Sequence, residues 1–295
     1  MTQVKQPSGV IYWFRNDLRL HDQAALCAAI QLAKSHQTWL LPVYIHDAAL
    51  DASTPWEFKR TGPHRKAWLQ MAIQGVSQQI ASFGSQLLEL QGDPTFILEN
   101  LCKSLGDAWI LCEEIAAPFE QQQIEKLRQA GVKVQTHWVS TLMATHDLPL
   151  PPSQLPDQFT QFRQKVEQSG MKVVTPCARV LDFPKLPEEN SWFQAQSQVI
   201  HSNASAVEID KRASFPYSDE RFQGSELAAL KHLQAYCQRM LPSSYKQTRN
   251  GLMGNDYSTK WSPWLATGAL SARTAWQAIQ QFESQHGAND STYWI

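Results

Sequence analysis

Cysteine, long apolar runs and net charge are all scarce in this chain of 295 residues. Its five cysteines, at 27, 102, 112, 177 and 237, are odd in number and form no C-x-x-C pair. That excludes a disulfide framework and a cysteine-rich zinc module, and a reducing cytoplasm is the expected setting. The longest strongly apolar run, Trp39 to Ile45, has 7 residues and is broken by Pro42, whereas a membrane span needs about 20. The stretch from Met1 to Gly9 carries no apolar signal-peptide core, so no membrane partner is expected. With 26 Lys+Arg against 27 Asp+Glu, the chain lacks the basic excess of a dedicated DNA-binding domain. The charge is uneven, however: −2 over residues 1–150, −2 over 151–210 and +3 over 211–295. A mildly basic last third suits a phosphate-bearing partner. Neither G-x-G-x-x-G nor G-x-x-x-x-G-K-[ST] follows the first apolar run, which excludes the usual dinucleotide and nucleoside-triphosphate sites. Tryptophan, by contrast, is plentiful, with 11 residues.

The first half alternates strand-like and helix-like segments. Val10 to Phe14 is a short β-branched and aromatic run that ends at Arg15-Asn16-Asp17, as a buried strand does. Asp22 stands where an N-cap would, before an Ala/Leu-rich helix over Gln23 to Ser35. Further strands are predicted over Trp39 to Ile45, Ser85 to Leu90, Ala108 to Cys112 and Val132 to Val139. The last alternates apolar and polar residues, as an edge strand with one wet face would. Asp93-Pro94 and Gly106 bracket one intervening helix, and Pro118 and Gly131 bracket another. Repeated strand–helix units imply a five-stranded parallel sheet covered on both faces, an α/β fold of Rossmann-like type. Ligands on such sheets sit beyond the carboxyl ends of the strands, where strand order reverses. Arg15-Asn16-Asp17-Leu18-Arg19 and Glu113-Glu114 lie at two such ends. Without further information, Arg15, Asp17 and Arg19 read equally well as a surface ion-pair cluster.

Prolines at 149, 151, 152 and 156 end the sheet, which gives a first domain over 1–147. Residues 148–224 show no sustained period and read as a connector with short helices over Phe159 to Gln168 and Ser191 to Gln198, wrapping over the first domain. Helical periodicity returns at Ser225, so residues 225–295 read as part of an all-α domain. Ser271 is placed as the N-cap of its second long helix. Trp264 and Trp276 both occupy positions suited to core packing.

Between those helices runs Tyr245-Lys-Gln-Thr-Arg249-Asn-Gly-Leu-Met-Gly-Asn-Asp256-Tyr-Ser258-Thr259-Lys260-Trp261-Ser262-Pro263-Trp264. Three hydroxyls and an ammonium fall within Ser258 to Ser262, ahead of a proline suited to a helix start. Read alone, such a turn is more often just a helix cap, although its hydroxyls and backbone N–H groups could also make an anion pocket suited to a pyrophosphate. This segment resembles the flavin-binding stretch of the cryptochrome/photolyase family, most of all its cryptochrome DASH branch. Trp13 to Asp22 is similar to the family's opening signature, and Ala288 to Ile295 resembles the DASH approach to its catalytic helix.

The resemblance implies an antenna domain, a connector and an FAD-binding helical domain. It implies that Tyr245, Ser258, Thr259, Lys260, Trp261 and Ser262 hold FAD, and that Arg249 meets DNA phosphate, its alternative being an ion pair with Asp256. Glu114, with Arg15 and Asn16 close by, would hold a 5,10-methenyltetrahydrofolate antenna. The activity it implies is light-driven electron transfer from reduced FAD to cyclobutane pyrimidine dimers, preferably in single-stranded DNA, by a monomer with neither metal nor side-chain nucleophile. The residues that address the lesion and the flavin ring in this family would follow Ile295, so weak flavin retention is expected of these 295 residues. A photoreceptor or nucleic-acid-binding module without repair, and an inactive relic, are the alternatives.

Overall fold

In the computed structural model, residues 6–188, 215–217, 219–251 and 254–295 are described. The apolar runs become five parallel strands: β1 (Val10–Phe14), β2 (Leu40–Asp47), β3 (Leu88–Gly92), β4 (Trp109–Glu113) and β5 (Val134–His137). Their order is β3-β2-β1-β4-β5, so β1 is central and the order reverses between β1 and β4. Helices α1 (Ala24–Ser35), α2 (Ala48–Asp51), α3 (Pro63–Ser82), α4 (Pro94–Ser104) and α5 (Pro118–Gln129) connect them. Alternation along β1 divides the core. Tyr12 and Phe14 face α1 and α3 on one side, while Ile11 and Trp13 face α4 and α5 on the other. Proline and aspartate set the helix starts as expected: Pro94 opens α4, where the Asp93 carboxylate accepts from the N–H groups of Thr95 and Phe96.

Two sequence expectations change here. Asp22 does not cap α1; Gln23 takes that position without a side-chain bond, and the Asp22 carboxylate is committed elsewhere. The 20-residue helix α3, which follows β2, was not anticipated.

The connector contributes α6 (Phe159–Gln168), at the bounds expected. Beyond it an extended segment lies against the sheet domain, where Val180 N–H donates to Leu20 C=O and Leu40 N–H to Lys185 C=O, both at 3.0 Å. Val180 and Phe183 join the core on the α1 side. The helix expected over Ser191 to Gln198 lies outside the described residues.

The last third is helical: α7 (Glu226–Gln238), α8 (Tyr245–Thr248), α9 (Ser262–Thr267) and α10 (Ala272–His286). Ser225 and Ser271 cap α7 and α10 through their side chains. Trp264 is fully buried at the centre of this core, 5.4 Å between ring centroids from Trp68 of α3. Helix α3 therefore belongs to both cores. Trp276 is 43% exposed, contrary to the core placement expected of it. Ala275, Ile279 and Phe282 form the buried stripe of α10, and Trp276 stands about 100° around the helix from Ala275.

Candidate functional site

The carboxyl ends of β1 and β4 meet at the reversal of strand order, and the polar residues there are buried. Asp17 is fully buried: Tyr12 donates its hydroxyl to the Asp17 carboxylate, Arg15 N–H donates to it at 2.7 Å and Gln23 Nε2 at 2.9 Å. Asn16 N–H donates to Glu113 Oε2 at 3.1 Å, while Glu113 Oε1 is buried with no partner among the described residues. Burial, and then the nearby Asp17 charge, push the Glu113 carboxyl up to about 8, so it keeps its proton at neutral pH. Burial also raises Asp17 and, with Asp17 beside it, the Tyr12 phenol. The cluster is thus not the surface ion-pair group that the sequence allowed. Glu113, Asp17 and Tyr12 are its centre; the sequence placed Asp17 and Glu113 at the strand ends where a ligand would sit, but gave Tyr12 no role and did not indicate that the three are buried together.

Arg15 is buried, with its guanidinium 4.5 Å from the Trp13 ring centroid and donating to Gln123 Oε1 at 2.9 Å. Arg15 and Asn16 line a small hollow of about 70 Å³ with Asp47 and Phe119. Glu114 lies in a different hollow of about 450 Å³, with Pro118, Gln121, Arg128 and Thr136. Ile115 borders both. Thr136 Oγ1 is 3.4 Å from the Glu114 carboxylate. The structure therefore brings Arg15 and Asn16 to Glu113 and sets Glu114 in the neighbouring hollow.

The rest of the opening motif ties the sheet to the helices. Arg19 donates to the carbonyls of Gly268 (3.0 Å), Asp22 (3.1 Å) and Val139 (3.0 Å). The Asp22 carboxylate accepts from Ser271 Oγ, from Arg273 Nε at 2.9 Å and from Cys177 N–H at 3.0 Å. Glu226 accepts from the N–H groups of Leu20 and His21 and sits 2.7 Å from His21 Nδ1.

In the helical part, Ser258, Thr259 and Lys260 are half-buried, Trp261 is buried and Ser262 is exposed as the first residue of α9. Lys260 holds φ at +57°, in the left-handed region. The Thr259 carbonyl accepts from His232 Nε2 at 2.8 Å, which pins the loop to α7. Trp261 packs edge-on to Tyr236 at 5.6 Å, and Tyr236 neighbours Tyr245, the half-buried first residue of α8. Trp261 Nε1 is buried without a partner, and the hydroxyls of Ser258 and Ser262 find none among the described residues. Helix α9 runs from this loop to Gly268, whose backbone abuts Asn16, so it links the two candidate sites.

Arg249 is exposed and lies 4.4 Å from the Trp294 ring centroid. The Arg249–Asp256 ion pair considered from sequence does not form: Asp256 is paired with Arg239 at 2.8 and 2.5 Å. Arg163 of α6 approaches the same Trp294 ring at 5.7 Å, and Tyr293 donates its hydroxyl to Glu167 at 2.9 Å. Among the described residues no helix is long and apolar enough to cross a membrane, and no group of His, Cys, Asp and Glu is arranged to hold a metal.

The family model for DNA photolyase matches residues 10–185. Cryptochrome DASH of Synechocystis sp. is 33% identical over 304 residues, covering 98% of this chain and 58% of its own length. Cryptochrome DASH of Xenopus laevis is 37% identical over 296 residues, covering 97% of this chain and 54% of its own. The crystal structure of the Synechocystis cryptochrome matches with a TM-score of 0.85 at 30% identity, over 98% of this chain and 59% of that one. A class III photolyase from Agrobacterium tumefaciens shares the fold, with a TM-score of 0.73 at 22% identity over 99% of this chain and 57% of that one. The chain thus spans little more than half the length of these relatives. The chain belongs to the DNA photolyase/cryptochrome family.

Proposed function

We propose that this chain supplies the phosphate-binding side of an FAD site and the DNA-facing edge of a DASH-type photolyase. The observation that carries this reading is the Ser258–Ser262 loop, where two hydroxyls and the buried Trp261 Nε1 have no partner among the described residues. A buried donor left unmatched at Trp261, beside solvent-reaching hydroxyls and the half-buried Lys260, fits the oxygens of a dinucleotide pyrophosphate. In this reading Ser258, Thr259, Lys260, Trp261 and Ser262 hold the FAD phosphates, and Tyr245 borders them. When bound and reduced, FAD supplies the light-driven electron that splits a cyclobutane pyrimidine dimer. The work of the protein is to bind and orient, which calls for no nucleophile. Glu114, in its hollow beside Thr136, accepts the paired N–H groups of a 5,10-methenyltetrahydrofolate antenna, with Arg15 and Asn16 nearby. We place the protein as a monomer in the cytoplasm, acting preferentially on single-stranded DNA.

The test begins with FAD titrated into the full chain and read by flavin fluorescence quenching. The double variant Ser258→Ala/Ser262→Ala is expected to bind about tenfold more weakly, the loss of hydrogen bonds to a charged group. Equal affinity would overturn the placement. Illumination with reduced FAD should then remove dimers from a single-stranded oligonucleotide. Intact dimers on a bound oligonucleotide would favour a receptor or binding module without repair.

Arg249 presents its charge beside the plane of Trp294, the combination that single-strand binders use to meet phosphate and base together. Arg249→Ala should weaken binding of a labelled oligothymidine several-fold and flatten the salt dependence by about 0.7 in log–log slope, as for one lost phosphate contact. Fluorescence anisotropy across a salt series measures it; an unchanged slope would assign Arg249 to stacking alone.

A further inference from the structure

The link between α2 and α3 is a small hairpin that projects two aromatic rings. Glu57 N–H donates to Thr54 C=O at 3.0 Å and closes a turn over Pro55-Trp56, Thr54 N–H donates to Phe58 C=O at 2.8 Å, and Ser53 pairs with Lys59 as an antiparallel bridge. Proline presets φ for the turn, and Glu57 takes the left-handed region, at φ +63°, to send the chain back. At the base Thr61 N–H donates to Leu50 C=O at 3.2 Å, and the Arg60 guanidinium lies 4.9 Å from the ring centroid of Phe119 in α5. The hairpin is therefore braced at its tip and at its base.

What it displays is costly to leave in water. Trp56 is 75% and Phe58 59% exposed, and their rings stand nearly parallel, 17° between planes with centroids 6.2 Å apart. Among the described residues no other stacked pair has both rings exposed. Around them stand Lys59, Arg60, Arg65 and Lys66, all exposed, so that four of the twelve Lys+Arg in residues 1–150 gather beside one aromatic tip. Among the described residues only Lys66 of the four is ion-paired, with Asp51 at 2.8 Å. Positive charge in a first turn opposes the helix dipole, and α3 has no acid there and no side-chain cap at Gly62, so Arg65 and Lys66 do not serve the helix they begin.

We propose that the Ser53–Lys59 hairpin is a docking surface for single-stranded DNA, a site of its own that shares no residue with the Ser258–Ser262 loop or with Arg249. Bases add to the faces of Trp56 and Phe58, while Lys59, Arg60 and Arg65 follow the phosphates; aromatic faces interleaved with cations are what binding a strand without sequence preference requires. A duplex keeps its base faces stacked and offers none to these rings. Glu57, exposed between the two aromatics, decides between a strand and a lipid surface. Sinking the tip among lipids would bury its carboxylate, whereas against a strand it can accept from a cytosine amino group. The family model that covers the hairpin, over residues 10–185, is the one for DNA photolyase, and DNA is accordingly the strand assigned. Because the hairpin backbone is already fixed, binding orders little beyond side chains.

An oligothymidine carrying 5-iodouracil, bound to the full chain, is illuminated, and the crosslinked peptides are mapped by mass spectrometry. A crosslink to Trp56 or Phe58 is expected, and it should persist in Arg249→Ala, which separates this site from the Arg249 contact. By fluorescence anisotropy, in both the parent and the Arg249→Ala background, Trp56→Ala/Phe58→Ala should weaken oligothymidine binding about tenfold at an unchanged salt slope, the loss of stacking alone. Lys59→Ala/Arg65→Ala should instead flatten the log–log slope by about 1.4, as for two phosphate contacts at about 0.7 each. Trp56→Phe should keep most of the affinity. All of these side chains are exposed, so every variant should retain the parent urea midpoint. Crosslinks confined to other residues, parent affinity in the aromatic double variant, tighter binding of oligouridine than of oligothymidine, or loss in that variant of binding to phosphatidylserine vesicles but not to oligothymidine would each overturn the proposal.

Discussion

Gly268→Ala is expected to abolish folding to this structure, giving insoluble protein or a soluble fraction without near-ultraviolet circular dichroism. Gly268 follows the last turn of α9 with φ +70°, where alanine is disfavoured by about 1 kcal/mol. That alone is tolerable. The larger effect is close approach: a Cβ at 268 would lie 1.8 Å from the Asn16 carbonyl oxygen and 2.5 Å from Asp17 Cα, both backbone atoms. They cannot rotate aside. The two segments are also bonded, Leu18 N–H to Thr267 C=O at 3.2 Å and Arg19 to Gly268 C=O at 3.0 Å. Making room means separating α9 from the end of β1 and leaving the buried Arg19 guanidinium short of an acceptor, a combined cost above about 5 kcal/mol. Gly131→Ala is the control, since its φ is +84° with nothing within 4 Å of the added carbon. It should cost about 1 kcal/mol in urea denaturation. If the two variants behave alike, the contact between Gly268 and Asn16 is not what the position requires.

That contact shows where sequence reading runs out. β1 was legible to the residue because its apolar run stops at Arg15, and α6, the return of helix at Ser225 and the cap Ser271 followed from equally local rules. Helix α3 was not, although Pro63 marks its first turn. Trp68 faces the Trp264 core while Ile73, Val76 and Ile80 face the sheet, so its apolar residues form two partial stripes, not one. The motif from Trp13 to Asp22 could be recognised, but its division of labour could not. Arg19, His21 and Asp22 meet partners some 200 to 250 positions away, and no spacing rule reports such pairs. Glu113 and Glu114 are neighbours in sequence, yet only packing shows that the first is desolvated against Asp17 while the second faces a hollow. The Ser258–Ser262 segment was the most legible part of the site, because its chemistry is contiguous.

Glu226→Ala should destabilise the protein by about 3–5 kcal/mol at pH 7, and Glu226→Gln by about 2 kcal/mol. The Glu226 side chain is fully buried, and its two oxygens serve Leu20 N–H at 3.1 Å, His21 N–H at 2.9 Å and His21 Nδ1 at 2.7 Å. On the far side of that ring, Ser271 N–H donates to His21 Nε2 at 3.2 Å. An acceptor at Nε2 places the ring proton on Nδ1, so the network assigns the neutral tautomer that donates to Glu226. Alanine leaves three donors stranded in the junction. Glutamine keeps one acceptor oxygen but turns an NH₂ toward a donor. Burial by itself would raise the Glu226 carboxyl, but the bonds from His21 and Leu20 outweigh it and hold the group below its ordinary value of 4.5. The unfolded chain therefore takes up a proton, as pH falls, before the folded chain does. The stability contributed by Glu226 is complete above about pH 4.5 and is lost as pH falls through the lower, folded value. Asp22 shifts in the same direction: burial opposes, but its bonds from Ser271 and Arg273 prevail. Both carboxylates thus make the junction acid-sensitive. The deficit of Glu226→Gln, read from urea midpoints at constant ionic strength, should be largest at neutral pH and shrink below about pH 4.5. A deficit that stays constant on acidification would mean that the carboxylate charge contributes nothing to holding the helices on the sheet.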